Sequence, residues 1–118
     1  MNTDLMNLTD EELLAQWAEV RETWEKHYAW YRAAAATLTK VMNPPLDEYN
    51  AIRADLTKTA IWRCDCDKAR AHLLVMRDQC EASTAKRDAY GSEWERRGNE
   101  VHYPKIEALL AKMKKGGS

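Results

Sequence analysis

From Leu8 to Met42 the positions Leu13, Trp17, Val20, Trp24, His27, Tyr31, Ala34, Leu38 and Val41 recur in alternating steps of three and four. That is the spacing of a helix packed lengthwise against another helix, and it predicts one long amphipathic helix over residues 9–42. Its start is marked by Thr9 as N-cap with Glu12 three residues on, where hydroxyl and carboxylate satisfy each other's backbone donors. Leu8 and Leu13 stand at the positions of a hydrophobic staple, and Asp10, Glu11 and Glu12 favour the positive end of the helix dipole. Asn43, Pro44 and Pro45 stop it, because proline removes a donor and drives its predecessor out of the helical region. A helix of this length is a rod of about 50 Å, whereas a compact globule of this chain would be only about 35 Å across. An elongated protein is therefore expected.

A second helix is predicted over 46–90, where no proline or glycine occurs after Pro45. Its stripe has two registers. Tyr49, Ile52, Leu56 and Ala60 form one seam, and Trp62, Cys66, Ala69, Leu73, Met76, Cys80 and Ser83 form another, an offset that fits a helix passing from one partner to a different one. Two helices joined by a slight break are the alternative to a single one. Gly91 and Ser92 read as a breaker, although Tyr90, Trp94 and Val101 continue the seam past it. A C-terminal helical segment follows over 92–115, interrupted near 98–104 by Gly98 and Asn99 and restarted at Tyr103 and Pro104. Residues 1–8 have no cap or period of their own and are expected to be a mobile leader, with Leu5 and Met6 able to fold back. The fold class that emerges is all-α: a single domain over 1–118, built as an elongated antiparallel, coiled-coil-like helical hairpin with a C-terminal third helix. A thin hairpin exposes part of each seam, so a homodimer is expected to cover it.

Composition adjusts this picture little. The chain is 45% hydrophobic and 31% charged, as suits a helical domain with solvated faces. The formal net charge of -1 sets up no overall field towards nucleic acid or an anionic membrane. Residues 1–59 hold ten acids against six bases and residues 60–118 nine against twelve, a difference that antiparallel packing would turn into attraction. No signal peptide and no run of eighteen apolar residues is present, so a cytoplasmic location without a membrane partner is expected. Cys64, Cys66 and Cys80 are an odd number without an export signal, and free thiols are expected.

The sequence is poor in catalytic signatures. No glycine precedes Gly91, which leaves no loop to cradle a nucleotide phosphate, and no G-x-S-x-G surrounds its few serines. Cys64 and Cys66, two apart on a helix, diverge by about 200°, so with His72 and Cys80 they do not converge on zinc. Glu19, Glu22 and Glu25 have the spacing of a magnesium site, but no E-x-x-D or E-x-x-H supplies its second half. His27 reads as a hydrogen-bonded core residue and His102 as a surface residue with weak acid-base potential. No enzyme, no cofactor and no metal are expected.

Five tryptophans and five tyrosines without a phenylalanine are the unusual feature. Such residues combine an apolar body with a polar edge and are enriched at interfaces. Trp17 and Trp24 belong to the seam, while Tyr28, Trp30, Trp62 and Trp94 are the candidates for partner contact. The leading expectation is a non-enzymatic protein–protein interaction protein, a small helical inhibitor or adaptor that occludes or bridges a partner protein. A phage-encoded factor acting on a host complex is one context for it. A first alternative is a nucleic-acid-associated module using Arg63, Arg70, Arg77, Arg87, Arg96 and Arg97, against which interleaved acids speak. A second is a small all-α metal-dependent hydrolase built on the Glu19–Glu25 series.

Overall fold

A computed structural model of the chain describes residues 2–116, with side chains over 4–116. It is all-α, with no strand among the described residues: α1 (Asn2–Met6), α2 (Asp10–Met42), α3 (Leu46–Arg53), α4 (Leu56–Arg97), a π-helical turn (Gly98–His102) and α5 (Tyr103–Gly116). The chain forms two compact units, one of Met1–Arg21 with Ala85–Ser118 and one of Glu22–Thr84.

The start of α2 is the expected capping box. Thr9 N–H donates to Glu12 Oε1 and Glu12 N–H to Thr9 Oγ1, both at 3.1 Å. All nine seam positions from Leu13 to Val41 are buried or half-buried, so the step pattern locates the packed face of α2. The second seam behaves alike: Trp62, Cys66, Ala69, Leu73, Met76, Cys80 and Ser83 are all covered, and its steps continue through Arg87, Tyr90, Trp94 and Arg97. Val101, expected to prolong it, is 40% exposed.

In the Glu22–Thr84 unit the two long helices run antiparallel. Trp24 Nε1 donates to Thr84 Oγ1 at 2.9 Å and Trp62 Nε1 to the Val41 carbonyl at 2.8 Å, so the partner number falls as α2 advances. Ala34, Cys66 and Ser83 are its buried seam residues. The other unit is also antiparallel, since Tyr90 OH donates to Gln16 Oε1 at 3.0 Å and Arg97 Nη1 to Asp10 Oδ1 at 2.9 Å. Its apolar core is Leu13, Val20 and Tyr90, with Leu5, Leu8, Trp17 and Trp94 packed against it. This pairing within each unit is the helical hairpin the sequence predicts.

Several boundaries differ from the sequence expectation. Of the two forms expected over 46–90, one helix or two joined by a break, the structure has two, because Asp55 Oδ1 accepts from the N–H of Thr57 at 2.8 Å and of Lys58 at 3.3 Å and so caps a new start. The break falls inside the expected first seam, of which Ile52 is half-buried while Tyr49 is 37% and Leu56 90% exposed and Ala60 is exposed as well. No break occurs at Gly91 and Ser92: α4 runs through to Arg97. A Cβ on Gly91 would lie 3.5 Å from Trp17 Cζ2, an ordinary van der Waals contact, so the glycine sits within the helix without a turn or a close approach that requires it. The interruption near 98–104 is a π-helical turn, in which Tyr103 N–H donates to the Gly98 carbonyl five residues back. Pro104 has no N–H to restore the tighter register. The leader is helical over Asn2–Met6, and Leu5 and Leu8 lie on the core.

Candidate functional site

The densest polar constellation lies in the first unit, where α4 ends. Arg97 is only 6% exposed. Its guanidinium donates from Nε to Glu93 Oε1 at 2.9 Å, from Nη1 to Asp10 Oδ1 at 2.9 Å, and from Nη2 to the carbonyls of Leu5 at 2.8 Å and Leu8 at 2.7 Å. The planar fork thus fastens the α1–α2 connection to the last turn of α4. Arg96 holds Glu93 from its other side, donating to Oε2 at 2.9 Å and Oε1 at 2.7 Å, and reaches Glu100 Oε2 at 2.6 Å. His102 Nε2 donates to Asp10 Oδ2 at 2.9 Å, and its ring lies 5.0 Å from that of Trp94.

The electrostatics follow. The Arg96 guanidinium, helped by Arg97 and opposed by burial, holds the Glu93 carboxyl down at about 2. Hydrogen bonds from His102 and then Arg97 lower Asp10, and the Thr9 backbone N–H lowers Glu12. Both arginines are raised, chiefly by Glu93. Chemically the cluster is spent: Glu93 accepts three N–H bonds from two guanidinium groups, so it is held ionised and is a poor proton carrier.

A pH dependence follows with a definite sign. A carboxyl whose folded value is depressed stabilises the fold fully above its unfolded value, here 4.5, and that contribution is lost as pH falls towards about 2. The thermal midpoint, followed by circular dichroism, is expected to drop as pH falls from about 5 to about 2, and the drop should be shallower in Glu93→Gln. Superimposable profiles of the two proteins would contradict this assignment.

The predicted contact residues are not gathered in one patch. Trp30 is 51% and Tyr28 43% exposed, and residues two apart on a helix diverge by about 200°, so they flank the α2 seam on opposite sides. Tyr28 stacks on Trp24 with centroids 5.2 Å apart and planes at 14°, under the Arg32 guanidinium at 5.8 Å. Trp30 tilts against His27, 5.4 Å away, and His27 Nδ1 shares a hydrogen bond with the Ser83 hydroxyl. Trp62 is half-buried, its N–H on Val41 and its ring edge-on to Tyr49 at 6.4 Å. Trp94 is half-buried against the core and His102. Both therefore serve internal packing first. Trp17 keeps a buried Nε1 without a hydrogen-bond partner.

The arginines divide likewise. Arg70 pairs with Asp67 at 3.8 Å, Arg77 with Asp78 at 3.5 Å and Glu81 at 3.8 Å, and Arg87 with Asp88 at 3.1 Å. Arg63 is exposed, whereas Arg96 and Arg97 belong to the internal network. Sequence reasoning placed Arg97 on a surface. The missed signal is its step of three after Trp94, which puts it on the seam. His102 is likewise not a free surface residue.

Glu19, Glu22 and Glu25 are exposed, and among the described residues no group of three or more His, Cys, Asp or Glu is placed to hold a metal ion. The thiols of Cys64, Cys66 and Cys80 are free. Among the described residues no helix is long and apolar enough to cross a membrane. Comparisons with protein-family models, with curated proteins and with solved structures give no match.

Proposed function

We propose that the chain is a non-enzymatic interaction protein, a helical adaptor or small inhibitor that occludes or bridges a partner protein through α2. The observation that carries this is Trp30, the tryptophan left 51% exposed when the other four are half-buried. Tryptophan is a frequent anchor of binding energy once a partner pocket desolvates it. Tyr28, held flat by Trp24 and Arg32, offers a second rigid aromatic on the opposite flank of the seam. A partner that grips both flanks would clamp the helix, which suits bridging or occlusion.

Two observations weigh against the rivals. Neighbouring carboxylates neutralise most of the arginines that would follow a phosphate backbone. The Glu19–Glu25 series is exposed, and among the described residues no group of three or more His, Cys, Asp or Glu is placed to hold a metal ion.

The test is capture of a partner from a nuclease-treated bacterial lysate by tagged protein. Trp30→Ala with Tyr28→Ala is expected to weaken a stoichiometric protein contact by about tenfold or more with the helical circular-dichroism signal unchanged. Retention that vanishes with the nucleic acid would replace this reading with the arginine one. Homodimerisation belongs to the same proposal, and a monomeric mass by light scattering would remove it.

A further inference from the structure

α5 is an amphipathic helix with none of its residues buried. Ile106 is 49% exposed, Leu109 60%, Leu110 53% and Met113 70%. Spaced i, i+3, i+4 and i+7, they form one continuous stripe, with the 58% exposed Tyr103 at its N-terminal edge. Helical spacing puts Lys105 and Lys112 along one border of the stripe and Lys114 along the other, with Lys115 behind and Glu107 as the single acid.

The net charge of -1 conceals this distribution. Four lysines and one glutamate give α5 a charge of +3, so the remainder of the chain carries -4. We infer that α5 lies on an anionic bilayer surface, apolar stripe towards the acyl chains and lysines among the headgroups, and brings the chain to that surface. An aliphatic stripe bordered by cations, on a helix too short and polar to span, has the make-up of an interfacial helix. Every cation in α5 is lysine, whose long stem and hydrated ammonium reach into a headgroup layer without needing a fixed bidentate partner. The remaining -4 is repelled by the same surface, which confines the contact to α5. A protein groove fits less well, because the stripe holds no tryptophan or phenylalanine to anchor in one. This surface is separate from the aromatic flanks of α2 and does not depend on the adaptor reading.

The test is sedimentation of the full chain with vesicles of phosphatidylcholine alone or of equal parts phosphatidylcholine and phosphatidylglycerol, at low and high salt. Binding is expected only with phosphatidylglycerol and should weaken as salt rises. Each lysine near an anionic surface multiplies affinity about fivefold, so Lys112→Glu with Lys114→Glu should reduce binding by about twenty-five-fold or more. Leu109→Glu should abolish it, with helical content by circular dichroism as the folding control. Wild-type chain that stays in solution with anionic vesicles overturns the proposal, as does binding indifferent to either variant. Self-association abolished by Leu109→Glu, without vesicle binding, assigns α5 to a second copy instead.

Discussion

Arg97→Met is expected to cost the fold about 3–5 kcal/mol, the range for removing one member of a buried, hydrogen-bonded charge constellation. The hydrocarbon stem is kept, so the loss is that of the guanidinium. Four acceptors lose a donor together: Glu93 Oε1, Asp10 Oδ1 and the carbonyls of Leu5 and Leu8. Glu93 retains Arg96, Asp10 retains His102 and the Leu5 carbonyl retains the Leu8 N–H at 3.2 Å, so the Leu8 carbonyl is the acceptor most exposed to the loss. Arg97→Lys should recover little, because one ammonium cannot reach acceptors spread around a planar fork. Urea unfolding followed by circular dichroism measures the loss. Arg63→Ala, at an exposed site, should lie within about 0.5 kcal/mol of the parent. Equal midpoints for Arg97→Met and Arg63→Ala would mean that the buried fork is not what holds α1 and α2 to α4.

Arg97 also shows where sequence reading stops. The packed face of α2 was legible because its covered positions are apolar or aromatic, with His27 the one exception. The covered face of α4 keeps the same steps, but at Arg87 and Arg97 it is occupied by cations. A cation at a seam position looks like a solvated one until its partners are known, and the Asp10 that receives Arg97 lies 87 residues away. Two boundaries were hidden for a related reason. A glycine inside a helix looks like one that ends it, and the single aspartate that caps α4, Asp55, has no proline or glycine beside it to mark where the break falls. The aromatics were legible as a class but not one by one. Whether Trp62 faces a partner or the Val41 carbonyl is decided by the antiparallel register, which no local pattern contains. The apolar stripe of α5 is visible in the spacing of Ile106, Leu109, Leu110 and Met113. What the sequence did not reveal is that none of these residues is buried in the fold.

Leu13→Ala is expected to cost about 2–5 kcal/mol, the range for truncating a buried leucine that leaves a cavity. Leu13 is 0% exposed, the one side chain so fully enclosed among the described residues. It forms the core cluster with Val20 and Tyr90, against which Leu5, Leu8, Trp17 and Trp94 pack. Leu8 and Trp17 are half-buried and free to relax towards the cavity, which favours the lower part of the range. Leu14, next in sequence and 42% exposed, is the control, because helix propensity changes equally in Leu14→Ala while no enclosed volume is lost. Denaturant midpoints of the two variants separate burial from propensity, and a Leu13→Ala loss no larger than that of Leu14→Ala would remove Leu13 from the core. The site is also coupled to the polar network. Leu5 and Leu8, which pack on the cluster containing Leu13, lend their carbonyls to Arg97. A relaxed Leu8 shifts one of those acceptors, so Leu13→Ala combined with Arg97→Met should cost less than the two losses added. Strict additivity would show that the apolar core and the arginine fork hold the α1–α2 connection independently.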